Sequence, residues 1–214
     1  MMQSSIRRNS ILLGLFALLT TNIIAGTYLG TRDLISAEQR KAEEKALLEI
    51  VPLERHDNSM LDDFLEVGST AAGLGLSSDK KIYVARSKGA VVAVILPATA
   101  PDGYTGDIDL IIGVNADGTI AGVRTLTHKE TPGLGDKVDL KKSDWILGFN
   151  GKSLQEPAPE LWAVKKDKGV FDQFTGATIT PRAVTAAVKR SLEYFDNNRA
   201  ELLRSNSAED DNNG

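Results

Sequence analysis

Between Ile11 and Leu29 the chain carries no charged side chain and is largely apolar. That is close to the ~20 residues a helix needs to cross a bilayer. The run follows Ile6-Arg7-Arg8-Asn9, and no acidic residue occurs before Asp33. A cleaved export signal is the competing reading, but the run exceeds the usual ~7–15-residue apolar core of such signals and no clear Ala-x-Ala site follows. The expectation is a retained single-pass anchor over 11–29 in contact with the lipid bilayer, with 1–10 as a cytoplasmic N-terminus. Arg7 and Arg8 face Arg32, Arg40, Lys41 and Lys45 across the span, so charge alone does not orient it. Long domains translocate largely regardless of charge, and a short basic start before an apolar run resembles an export signal. Residues after the span are therefore expected outside the cytoplasm. Thr20, Thr21 and Asn22 are unusual at mid-membrane depth. Either they face another transmembrane helix, or their side chains bond back to their own helix carbonyls.

The 214 residues leave room for one further domain of ordinary size. There is no cysteine, which excludes disulfides, thiolate nucleophiles and iron–sulfur ligation. Any redox chemistry must come from a cofactor held another way. His56 and His128 are too far apart in sequence for a local metal-binding pair, and no metal site is expected. A net charge of −4 argues against nucleic acid as a partner. Part of that charge, Glu209, Asp210 and Asp211, lies in a polar tail over 205–214 that reads as disordered.

Arg32 to Ile50 is rich in Ala, Glu, Lys and Leu and reads as a helix continuing the span and stopping before Pro52, so 30–56 forms a membrane-proximal helical segment. Residues 57–204 form the exported domain, whose first part, up to Ser78, carries little pattern. Ile82–Ala85 and Val91–Leu96 flank Ser87-Lys88-Gly89, and Asp107–Val114 and Thr119–Thr127 flank Asn115-Ala116-Asp117-Gly118. Both are hairpin signals. Helical periodicity returns at Val184, Val188, Leu192 and Phe195, whose shared apolar face must cover something, most economically the sheet. The fold class is α+β, an antiparallel sheet with packed helices, preceded by one N-terminal transmembrane helix.

Immediately before that last helix runs Asp172-Gln173-Phe174-Thr175-Gly176-Ala177-Thr178-Ile179-Thr180-Pro181. Pro181 suits the first helical position and Thr180 the cap, so the free N–H groups of the first turn would face the hydroxyls of Thr175 and Thr178. Gly176 allows close backbone approach and Ala177 leaves space, a geometry that attracts a phosphate. A plain capped turn is the alternative, since helices commonly begin after Ser or Thr. A second loop, Thr127 to Lys137, follows a predicted strand and contains Thr131-Pro132-Gly133-Leu134-Gly135. It is either an ordinary turn or a binding loop at a sheet end. The spacings of dinucleotide, Walker and serine-hydrolase motifs are absent.

Asp-x-x-Thr-Gly-Ala-Thr is similar to the flavinylation motif of exported FMN-binding domains. Paired with Thr131–Gly135 upstream, it resembles two related subunits. One is the G subunit of the Rnf/Rsx ion-translocating electron transport complex, and the other the C subunit of the sodium-pumping NADH:quinone reductase. Ala100–Gly106, Ser143–Ile146 and Trp162–Lys166 are similar to the Rnf/Rsx subunit, and the Gly-Leu-Trp segment of the quinone-reductase subunit is missing. The resemblance implies FMN joined by a phosphoester to Thr178, attached by a flavin transferase that uses FAD. It implies Thr175, Gly176, Ala177 and Thr180 around the phosphate, and Glu130, Thr131, Gly133 and Leu134 near the ring. Lys137 or Lys165 would favour an anionic reduced flavin. The implied role is a one-electron relay with other membrane subunits of a complex in the bacterial inner membrane, with the domain in the periplasm. That complex links ferredoxin and NAD to ion movement, or keeps a redox-sensing regulator reduced. As a subunit the chain would be a redox carrier rather than a stand-alone enzyme. A cofactor-free membrane-anchored scaffold is the reading that remains if the turn binds nothing.

Overall fold

The computed structural model of the chain describes residues 2–67, 73–76 and 80–204, so the acidic tail lies outside the described residues. The chain divides into two compact units, Met1–Lys45 and Ala46–Gly214. The first is helical throughout, as part of α1 (Met2–Leu48), and contains a segment long and apolar enough to cross a membrane. Several of its polar side chains bond back to carbonyls of the same helix. Thr20 donates to the Phe16 carbonyl at 3.0 Å, Asn22 to that of Leu18 at 2.8 Å and Thr27 to that of Ile23 at 2.8 Å. For Thr20 and Asn22 those bonds match the second of the two readings.

In the second unit five strands run in an antiparallel meander: β1 (Phe64–Glu66), β2 (Lys81–Ser87), β3 (Ala90–Ala100), β4 (Ile108–Asn115) and β5 (Ile120–Thr127). Both expected hairpins are present. Lys88 and Gly89 at the first turn have φ of 53° and 79°, the left-handed pair that matches the twist of a two-residue hairpin. Successive side chains of a strand point to opposite faces, and here both faces are covered. Val94, Leu96 and Ala98 of β3 join Leu110 and Ile112 of β4 in a core against α2 (Ile179–Leu202). Ala93 and Ile95 face the other way, with Leu47, Ile50, Val51, Met60 and Tyr83. This two-sided burial explains why β3 reads as a continuous apolar run. Pro97 lies past Ile95, where the pairing of β3 with β2 ends, and pairs with β4 at Ile111, a position that tolerates the missing N–H.

On the second face β4 and β5 each contribute a glycine, Gly113 opposite Gly122. A Cβ on Gly113 would lie 2.2 Å from Ile50 Cγ2, and one on Gly122 would lie 3.4 Å from the same atom. Ile50 therefore occupies the notch left by two absent side chains.

Between β5 and α2 the described chain forms no extended strand. Four short 3-10 helices, Gly135–Val138, Asp144–Phe149, Pro159–Leu161 and Lys165–Asp167, punctuate this stretch. An aromatic cluster holds it together. Phe149 is fully buried, with ring centroids 4.6 Å from Phe171, 5.2 Å from Trp145 and 6.3 Å from Trp162, and Trp145 lies 5.0 Å from Phe174. Such pairs add stability beyond the area they bury. Phe149→Ala is expected to destabilise the domain by about 3–5 kcal/mol. Urea denaturation of the detergent-solubilised chain measures this, and a loss below about 1 kcal/mol would show that the cluster is not integral to the core.

Candidate functional site

Three segments meet at one end of the sheet: the β3–β4 connection, the loop after β5 and the turn entering α2. They enclose an open cavity of about 340 Å³, within the size range of small-molecule sites. Tyr104 comes from the first segment; Glu130, Thr131, Leu134 and Gly135 from the second; Gly176, Ala177, Thr178, Ile179 and Thr180 from the third. The topology forces this meeting, because β3 ends, β4 starts and β5 ends on the same side of an antiparallel meander. Asp109 braces that end, accepting from Thr99 at 2.9 Å and from Thr127 at 2.8 Å.

The sequence placed Thr180 at the helix cap and Pro181 at the first helical position, but α2 begins at Ile179 with Thr178 as its N-cap residue. The reason lies in the third dimension. Thr180 is fully buried and its hydroxyl donates to Glu130 Oε2, so that side chain is turned inward rather than toward a phosphate. Thr178 makes no side-chain capping bond. Its hydroxyl thus borders the cavity without serving the helix.

Glu130 is 4% exposed. Its other oxygen accepts from the Thr105 N–H at 2.9 Å, and its own N–H donates to His128 Nδ1 at 3.2 Å. One carboxylate therefore ties together all three segments that wall the cavity. Gly135 and Gly103 make room for it: a Cβ on Gly135 would lie 2.7 Å from Glu130 Oε2 and 2.8 Å from Thr180 Oγ1, and one on Gly103 would lie 3.0 Å from Glu130 Oε1.

The turn before α2 is fixed from outside the cavity as well. Ala177 N–H donates to the Phe174 carbonyl at 3.1 Å, and Gly176 has φ of 84°, with the place of its Cβ only 3.3 Å from Leu134 Cδ2. Trp145 Nε1 donates to the Asp172 carbonyl at 2.7 Å, while the Asp172 carboxylate pairs with Lys165 at 2.6 Å. Arg182, in the first turn of α2, makes a two-pronged bond to Asp167 at 2.5 and 2.6 Å. This bond holds the Asp167 carboxyl below its ordinary value of 3.8.

Of the residues expected from the sequence, Glu130, Thr131, Leu134, Gly176, Ala177, Thr178 and Thr180 line the cavity. Thr175 and Gly133 belong to the same turn and loop but lie outside its wall, as do Lys137 and Lys165. Tyr104, Gly135 and Ile179 were not singled out. Tyr104 lies in Ala100–Gly106, a stretch marked only by its family resemblance, and nothing local reveals that it folds toward the other two segments.

A family model described as FMN-binding domain matches residues 103–193, which include every segment of the cavity wall. The antiparallel sheet, the α2 entry turn and this match define an FMN-binding domain. A second model, described as RnfG N-terminal region, matches residues 1–50. The chain is 52% identical to the G subunit of the ion-translocating oxidoreductase complex of Pseudomonas aeruginosa, over 93% of this chain and 92% of that protein. It is 48% identical to the protein of the same name from Pseudoalteromonas atlantica, over 94% of each, and 42% identical to that of Vibrio vulnificus, over 94% and 95%. The chain belongs to this family, the G subunits of ion-translocating oxidoreductase complexes.

Thr180→Val keeps the shape of the side chain and removes the donor to Glu130 Oε2. It is expected to cost about 1–3 kcal/mol, because a buried acceptor is left without its partner. Denaturant titration of the wild type and the variant measures this. Because the folded-state value of Asp167 is depressed, its bond with Arg182 stabilises the fold above pH ~4 and is lost as pH falls through the lowered value. The difference in denaturation midpoint between wild type and Arg182→Ala is therefore expected to be small at pH 7 and to vanish once the pH has fallen through that lowered value. A difference that grows on acidification would contradict that assignment.

Proposed function

We propose that the chain is the electron-carrying subunit of an ion-translocating oxidoreductase complex, with FMN joined by a phosphoester to Thr178. One observation carries this reading. Thr178 stands on the cavity wall at the start of a long helix, in the last position of Asp-x-x-Thr-Gly-Ala-Thr, with a hydroxyl that does not cap the helix. The first-turn N–H groups and the positive end of the α2 dipole favour a phosphate beside it. Attachment from FAD balances simply. The Thr178 oxygen bonds to the flavin-side phosphorus, the pyrophosphate bridge breaks, AMP leaves and the hydroxyl proton is released. A separate flavin transferase supplies the machinery for that step. Thr178 is reachable for it, being only half-buried on an open cavity.

The residues present fit the cofactor. Gly176 leaves the approach to Thr178 clear, Leu134 offers an apolar surface, and Glu130 ties the segments together. Once bound, flavin supplies electron transfer, and the protein supplies placement. Phosphate cannot approach every side of the helix entry equally, since the Glu130 carboxylate already lies against Thr180. The Asp167 and Asp172 carboxylates at the same entry are each paired with a cation, Arg182 and Lys165. Lys165 is paired with Asp172 and stands away from the cavity, so a role in tuning the flavin has no geometric support.

Family membership favours the Rnf/Rsx-type complex over the sodium-pumping quinone reductase. The apolar segment of α1 anchors the chain in the bacterial inner membrane, with the 57–204 domain on the periplasmic side and the other subunits of the complex as partners. Covalent attachment suits an exported carrier, because a dissociable flavin would be lost outside the cytoplasm.

The test is mass spectrometry of the denatured chain after co-expression with its flavin transferase. Wild type and Thr178→Ser are expected to carry the added mass of one FMN, and Thr178→Ala none. Added mass on Thr178→Ala would move the attachment to another residue. No added mass on the wild type, with a transferase active on a control protein, would leave a cofactor-free scaffold.

A further inference from the structure

The cavity is chemically lopsided. On its inner side both oxygens of Glu130 accept hydrogen bonds, from Thr180, from the Thr105 N–H at 2.9 Å and from the Thr105 hydroxyl at 3.4 Å. A carboxylate offers lone pairs and no proton, so ligand atoms that are themselves acceptors gain nothing by facing it. At the mouth stand Tyr104, Leu134 and Ile179, which are 66%, 42% and 45% exposed. Large apolar side chains scattered singly over a surface are unremarkable, whereas three around one cavity mark a face that something covers.

Tyr104 is the most exposed of the three, yet its backbone is not loose. Its neighbour Thr105 donates both its N–H and its hydroxyl to buried Glu130, and Gly103 on its other side packs tightly against Glu130 and Ile108. An aromatic ring is thus held out over the cavity from a fixed base. Such rings favour offset contact with another π-system at about 4.5–7 Å between centroids. The reading of Thr178 as the FMN attachment point supplies that π-system within reach of its ribityl chain, and this inference rests on it. We propose that Tyr104 covers the flavin ring, laying its phenol against one face of the isoalloxazine, while Leu134 and Ile179 provide the remaining apolar contact. The acceptor-rich edge of the flavin would then point away from Glu130.

A phenol in van der Waals contact with a flavin quenches its emission, which gives a readout independent of electron-transfer activity. The full chain is co-expressed with its flavin transferase, its flavin content is fixed by mass, and fluorescence is compared before and after denaturation. The native wild type is expected to be several-fold dimmer than the denatured protein. Tyr104→Trp is expected to keep that quenching, and Tyr104→Ala to lose most of it, with all three carrying one FMN. Native Tyr104→Ala as dim as the wild type at equal flavin content would overturn the proposal. So would a Tyr104→Ala chain that takes up no flavin, which would assign the residue to attachment instead. Absence of flavin mass from the wild type would instead remove the functional reading beneath it, so the two failures are told apart by the mass alone.

Discussion

The bonds made by the Glu130 side chain are the constraint on which the site depends. Burying a carboxylate is costly unless its oxygens are matched, and here a threonine hydroxyl from α2 and a backbone N–H from the β3–β4 connection match them. Glu130 itself belongs to the loop after β5. Three segments that are remote in sequence are therefore held at one spacing by a single residue, and a side chain at position 135 would meet that carboxylate first. The cavity walls are held by contacts within the chain itself, and such preorganisation lowers the ordering cost of binding.

Around this tie the domain is arranged in two shells of different character. The sheet supplies a rigid floor, buried on both faces. The stretch from the end of β5 to α2 has little regular structure and gains its order from aromatic contacts, with Trp145 reaching from Phe149 to Phe174 and to the Asp172 carbonyl. That tryptophan couples the packed interior to the turn that carries Thr178. Arg182 and Asp167 clasp the same turn from the solvent side. A side chain at the end of an otherwise irregular segment is thereby held from two sides.

Much of this was legible in the sequence, and the parts that were not share a cause. The apolar span, both hairpins and the amphipathic face of α2 are written in local periodicity and turn chemistry, which depend only on neighbours in the chain. The hydroxyl-rich turn stood out because its residue pattern is long and specific, and the structure puts it on a cavity wall. The start of α2 was misplaced by two residues because Thr180 and Thr178 are equally good caps locally; the buried carboxylate of Glu130, fifty residues away, decided between them. Tyr104 was missed for the same reason. Its importance comes from where the β3–β4 connection lands, and no period or propensity records that. The 3-10 helices after β5 escaped notice because they are stabilised by aromatic contacts between residues far apart in sequence.

The notch filled by Ile50 bears on how this domain can change over time. Gly113 and Gly122 face each other across β4 and β5, and the space over them belongs to a side chain from the far end of the domain's sequence. A larger residue at 113 meets Ile50 at once, and a smaller residue at 50 opens a void between two bare stretches of backbone. The two positions are thus coupled by packing: a change of size at one calls for a compensating change at the other, which ties the segment that follows α1 to the middle of the sheet.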